Sequence, residues 1–404
     1  MDKLQTISMP EGGAIEFPCA EADLSIAQPR ASIIAAMVFG SVTFVAMAIT
    51  PILLGSLVRI GRISNGTLGT VATLEMLGVA IGSTIGLPFF RRGKFSLKVA
   101  IVSLLLVLFD GLSFKAGSPL ELSLVRAISG LMEGGALAAA TLILTYVRNP
   151  ERMNGFFLGI TAIPPLVVTY ILGSMTDAYL AVMVGFSALS VSAVFAILAS
   201  MGLSDANFPA SQPRKNRFGV YRRSQVIALL TVLLQNAGIG AAYSYLTQIA
   251  GQHGVPQEIV GSAVAALQAV AVFASFAVGW GAWRLPFSVV LTLGCLVQAV
   301  VSLGLGDLQS GIGYLIGCCV FGLCWNGLLP FSLKLLIDLD RTRSLGLLNA
   351  PVSLAGFGLG PITASLFVTG GNVTPAYWAS ALLFVASAGL YFVLALISRS
   401  RSGA

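Results

Sequence analysis

Twelve apolar stretches, each about as long as the 17 to 25 residues a helix needs to cross a bilayer, or a little longer, follow one another along this chain of 404 residues. They begin near Ala31, Gly66, Leu97, Leu120, Met153, Tyr179, Gln225, Val255, Pro286, Gly311, Leu345 and Pro375. No soluble core could absorb them, because only 10% of the residues are charged against about a quarter in soluble domains. The alternation of a membrane strand is absent, which leaves a bundle of membrane-spanning helices.

Between the stretches, one connection is long. SDANFPASQPRKNRFGVYRRS, from Ser204 to Ser224, is polar, basic and proline-containing, and it falls after the sixth span. The expected organisation is a tail over 1–30, a six-helix bundle over 31–203, a linker over 204–224, a second bundle over 225–398 and a tail over 399–404. The first tail lacks the apolar core of a signal peptide. If it is cytoplasmic, all of the 23 Lys and Arg except Arg59, Arg62, Lys115 and Arg126 fall on the cytoplasmic side. The positive-inside rule then sets both termini in the cytoplasm and the protein in the cytoplasmic (inner or plasma) membrane. The net charge of +7 is therefore loop bias and implies no nucleic-acid partner.

The two halves align on each other. LEMLGVAIGSTIGLPFFRR from Leu74 lies over LQAVAVFASFAVGWGAWRL from Leu267, pairing Glu75 with Gln268 and Gly86 with Gly279. ISGLMEGG from Ile128 lies over VFGLCWNG from Val320, pairing Gly130 with Gly322, at an offset one residue different. Two nearly equal offsets indicate a duplicated six-helix unit.

Charge inside the spans carries the functional reading. Glu75, Arg126 and Glu133 are expected deep in their helices, where a charge costs roughly 2.5 to 3.5 kcal/mol on insertion scales. Arg126 and Glu133 share a helix face but lie about 10 Å apart along it, so no direct pair between them is expected. Glu75 is at a depth that suits a partner for Arg126. Arg126 is a candidate either to attract an anionic solute or to tune a carboxyl, and Glu133 or Glu75 to exchange a proton; a purely structural ion pair is the competing reading. The second half offers Gln235, Asn236, Tyr243 and Tyr245 on the seventh span and Trp325 and Asn326 on the tenth. Tyr243 and Tyr245 also suit interfacial anchoring.

Several chemistries are disfavoured. One histidine, His253, excludes a metal site of several imidazoles and speaks against a Ser-His or Cys-His nucleophile. Cys295, Cys318, Cys319 and Cys324 sit in apolar runs and read as small buried thiols. Asp338 and Asp340 end a span beside Arg341 and Arg343, which are their expected partners. No P-loop pattern is present. No cofactor, metal or catalytic residue is expected.

Twelve spans, a basic central loop and six-span repeats resemble the major facilitator superfamily, and the likeness extends over the chain after Arg30. GLPFFRRGKFSLK is similar to that family's G-x-x-x-D-R-x-G-R-R loop through Gly86, Arg91, Gly93 and Lys94, with Phe90 in the acidic position. LVRAISGLMEGGA resembles its R-x-x-x-G-x-x-x-G pattern through Arg126, Gly130 and Gly134. GITAIPPLVV keeps Gly159 and Pro164 of the antiporter motif, and GFGLGPITA keeps Gly356, Gly360 and Pro361. The resemblance implies an all-α fold of two pseudo-symmetric six-helix bundles, with the first, fourth, seventh and tenth spans lining a central cavity. That would place Arg126 and Glu133 on the cavity wall and Glu75 at its edge. It implies gating roles for Gly86, Arg91, Arg92, Pro164 and Pro361, and substrate or proton roles for Glu75, Arg126, Glu133, Asn236, Tyr243, Trp325 and Asn326. The expected activity is monomeric, proton-coupled secondary transport of a small organic solute, tipping to export. Uptake of an organic anion, or a receptor or enzyme on the same fold, remains the alternative.

Overall fold

The computed structural model describes residues 29–91, 93–145, 157–203, 223–281, 287–307, 310–339 and 344–402. Among them are thirteen helices: α1 (Arg30–Arg59), α2 (Asn65–Phe90), α3 (Phe95–Lys115), α4 (Pro119–Thr145), α5 (Ile163–Gly173), α6 (Ala178–Ser200), α7 (Arg223–Ser244), α8 (Leu246–Gln252), α9 (Gln257–Gly281), α10 (Phe287–Asp307), α11 (Gly311–Leu339), α12 (Ser344–Ser365) and α13 (Thr374–Ser402). Ten are long and apolar enough to cross a membrane. Phe157–Gly173 stands in the fifth position as a shorter apolar helix, and α12 stands in the eleventh. The short α8 is the one helix without a counterpart among the expected spans. This is a multi-pass membrane protein. The basic linker, Arg92, Asp340, Arg341 and Arg343 lie outside the described residues.

Local chemistry sets the breaks. Ser64 caps α2 reciprocally with Thr67, and Asp177 accepts from the amides of Tyr179 and Leu180 to start α6. Gly93, which follows the α2 terminus, has φ of +79°, a conformation that explains why glycine stands there. The fifth span is interrupted at Ala162, and Pro164 and Pro165 open α5.

Helices α1 to α6 pack on one another, as do α7 to α13; α2 meets α12 and α5 meets α9 across the divide. At α5 and α9 the backbones touch, since a Cβ on Gly173 would collide with Gly261. The hydrophobic core shows how the halves sit. At the end opposite the described helix termini Arg30 and Ser402, one cluster joins both halves, from Ile49, Leu53 and Leu68 to Ile249, Phe321 and Phe384. Toward the termini it divides. Phe39, Phe95 and Ile143 belong to one cluster, and Val232, Phe331 and Tyr391 to another.

Hydrogen bonds between the halves gather at the joined, distal end. Tyr243 donates to the Ala48 carbonyl (2.8 Å), Tyr245 to that of Asn65 (3.1 Å) and Thr247 to that of Pro51 (2.6 Å). The amide of Ile362, next to Pro361, donates to Thr73 (2.9 Å). The halves thus share one core and their hydrogen bonds distally, while toward the termini their cores divide and Gly159 still packs on Phe276.

Candidate functional site

The close approach of α2 and α4 creates the site. Gly78 and Gly82 on α2 face Gly130 and Gly134 on α4; a Cβ on Gly130 would collide with the Glu75 carbonyl oxygen and one on Gly134 with that of Val79. Small residues let two membrane helices meet backbone to backbone. This contact is the physical content of the R-x-x-x-G-x-x-x-G pattern.

Against that seam, Arg126 holds three carboxylates. Its Nη2 donates to Glu75 Oε1 and to Glu133 Oε1 (3.2 Å), and its Nη1 donates to Asp110 Oδ1 on α3 (2.8 Å). Exposure is 1% for Arg126, 2% for Glu75, 1% for Asp110 and 0% for Glu133. One guanidinium therefore neutralises at most one of three buried acids. Asp110 Oδ2, Glu133 Oε2, Arg126 Nε and the Ser129 hydroxyl have no hydrogen-bond partner, an unusual density for a buried site.

Two expectations are corrected here. Arg126 and Glu133 do pair directly: the Glu133 side chain leans back toward the helix N-terminus while the long Arg126 side chain runs down the same face, closing the backbone gap. Neither presents its charge to an open cavity in this conformation, because both are fully enclosed by α1, α2 and α3. Asp110 was missed by the sequence reading. Its signal was present, an acid interrupting LLLVLFDGLSF, but it lies five residues before Lys115 and reads as part of the helix end.

The second half carries an aromatic counterpart. Tyr243 meets Trp325 edge-on at 5.0 Å between ring centroids, and Trp325 stacks on Phe357 at 5.4 Å. Gln268, the repeat partner of Glu75, donates to the Tyr243 hydroxyl at 2.8 Å. An amide and a phenol thus replace the acids and guanidinium of the first half. Trp325 packs on the distal joined core while its neighbour Cys324 packs on one of the divided cores, so Trp325 stands where the core divides. It and Asn326 are half-buried.

Other candidates have structural partners. Asn236 donates to Val232 in its own helix, and Gln235 accepts from Tyr391. Tyr243 and Tyr245 are buried inter-half donors, not interfacial anchors. His253 lies 2.7 Å from the Gly306 carbonyl. Cys295 and Cys318 are buried as expected, whereas Cys319 and Cys324 are only half so. Gly86 packs on Ala138 of α4, and Arg91 follows α2 directly. Asp338 is exposed. No group of three or more His, Cys, Asp or Glu side chains placed to hold a metal ion occurs among the described residues.

The described residues thus form an all-α membrane fold of two helical bundles, α1 to α6 and α7 to α13, with a buried charge cluster in the first. No family model matches the sequence, and no curated protein matches it. Solved structures do. The nucleoside transporter NupG superposes with a TM-score of 0.73 at 11% identity, covering 90% of this chain and 98% of that one. A D-xylose-proton symporter gives 0.68 at 17% identity, covering 89% and 95%. A bacterial homolog of the human lysosomal transporter Spinster, inward-facing and unoccupied, gives 0.65 at 14% identity, covering 90% and 95%. All three are transporters that share this fold.

Proposed function

We propose that the protein is a proton-coupled secondary transporter that exports a small organic solute by alternating access, with the face where the cores divide turned to the cytoplasm. The observation that carries the proposal is the sharing of Arg126 by Glu75, Asp110 and Glu133 in a buried site. Full ionisation would leave two uncompensated negative charges there, and binding protons offsets them. The site thus trades protons for movements of the guanidinium.

The aromatic floor of Tyr243, Trp325 and Phe357 suits a solute with a flat or apolar body. Arg126 has its two terminal nitrogens committed to carboxylates, so it is not offered to an anionic solute. The surplus of acids favours a neutral or cationic one. Folds shared with a nucleoside transporter and a D-xylose-proton symporter support secondary transport of a small solute.

Proteoliposomes with an imposed pH gradient test it. A panel of aromatic cations, neutral solutes and organic anions is offered, and gradient-driven accumulation of a cation or neutral solute is expected in antiport with protons. Flux indifferent to the gradient would exclude proton coupling, and accumulation of an anion together with protons would reverse both the direction and the substrate class.

A further inference from the structure

Between α3 and α6 there is a cavity of about 350 Å³, lined by Asp110, Gly111 and Phe114 of α3 and by Phe186, Ser187 and Ser190 of α6, with Met183 and Val191 at its rim. Both rim residues are exposed on the outer surface of the bundle. Asp110 is 1% exposed, spends Oδ1 on Arg126 and leaves Oδ2 without a partner. Two hydroxyls and a free carboxylate oxygen in one crevice are out of place between helices whose other outward residues, Leu104, Leu108, Val194 and Phe195, are apolar.

We infer that this α3–α6 crevice is a water-filled proton entry to the charge cluster, separate from the solute cavity, with Asp110 as the carboxyl that takes the proton. The inference rests on the transport reading above. Room and partners suit water: the volume holds several molecules, and each needs about two to four polar contacts, which Asp110 Oδ2, Ser187 and Ser190 supply. Asp110 lies about 7.5 Å along α3 from Lys115 at the helix end, so a short file of water reaches the interface.

The groups facing Asp110 are Arg126, Ser129 and Glu133 from α4 and Glu75 from α2; α6 brings only the two serines and apolar side chains to the crevice. A hydronium ion in the crevice gives its proton to Oδ2 and leaves as water. The neutral carboxyl holds Arg126 less strongly, so more of the guanidinium charge falls on Glu75 and Glu133, which favours departure of a proton from Glu133. One proton enters on the α3 side as another leaves on the α4 side. Solute never occupies that path.

Two experiments test it. Ser187→Val with Ser190→Val fills the crevice with apolar volume and leaves the cluster and the aromatic floor intact. Transport driven by a pH gradient should slow by about tenfold or more, an added barrier of roughly 1.4 kcal/mol, while solute counterflow without net proton movement stays near wild type. Separately, Ser187→Cys should react with a small, charged, water-requiring thiol reagent above the wild-type background, and Phe195→Cys, exposed on the same helix but outside the crevice, should not. Proton-driven transport at the wild-type rate in the double variant overturns the inference and leaves the transport reading intact, as does equal reactivity of the two cysteines. Absence of proton coupling in the wild-type protein sinks the transport reading itself and the proton entry with it.

Discussion

Arg126→Met is the sharpest perturbation of the charge cluster. It removes the cation shared by Glu75, Asp110 and Glu133 and substitutes a side chain of similar length without charge. Breaking a buried pair by deleting one partner costs about 3 to 5 kcal/mol, because the other charge is left uncompensated. Here three acids lose the same partner, so the upper end of that range is expected. Glu75→Gln should cost less, about 1.5 to 3 kcal/mol for a lost charge-assisted hydrogen bond, since Asp110 and Glu133 still neutralise Arg126. In the double variant the losses should not add; a coupling of roughly 1 to 3 kcal/mol is expected for groups in direct contact. Thermal unfolding in one detergent at one pH, read by loss of the monodisperse peak in size exclusion, compares the four proteins. Additivity within about 0.5 kcal/mol, or an Arg126→Met variant as stable as wild type, would refute the view that a single guanidinium holds these acids together.

Gly130→Ala should push α4 off α2, because its Cβ meets the Glu75 carbonyl oxygen; a loss of about 1 to 3 kcal/mol in the same unfolding assay is expected, with gradient-driven transport lost too, and an unchanged midpoint would contradict the close contact. Trp325→Ala removes the stacking surface on Phe357 and should weaken solute binding by about 1 to 3 kcal/mol, as truncation of a buried aromatic anchor does; isothermal titration reads this directly. Tyr243→Phe loses the bond to the Ala48 carbonyl across the sealed end, so distal cysteine probes should become more reactive, and unchanged reactivity counts against that seal.

Much of this architecture is legible in the sequence, for identifiable reasons. The succession of membrane-crossing helices follows from apolar length, set by the bilayer, and the close contact of α2 with α4 from glycine positions. Depth of charge is also legible: Glu75, Arg126 and Glu133 prove buried because an acid or Arg inside an apolar run has few other places to go. The partnership of Arg126 with Glu133 was not legible, since it depends on rotamers and not on rise per residue. Asp110 escaped for a related reason. Its nearness to the end of α3 allows either a solvated acid or a buried one, and only the packing of α4 on α3 decides between them. Phe357 likewise joins the aromatic floor through the approach of α12 to α7, which no local pattern records.

The central claim is that the cluster on Arg126 binds and releases the coupling proton, and Glu133→Gln tests it most directly. Glutamine keeps the size and one hydrogen-bond acceptor of the side chain but cannot carry the proton. With a pH-sensitive dye sealed inside proteoliposomes, addition of solute to the wild-type protein should move protons against solute. In Glu133→Gln the proton signal should vanish while solute counterflow persists in a folded protein. A wild-type proton signal in that variant would contradict the account.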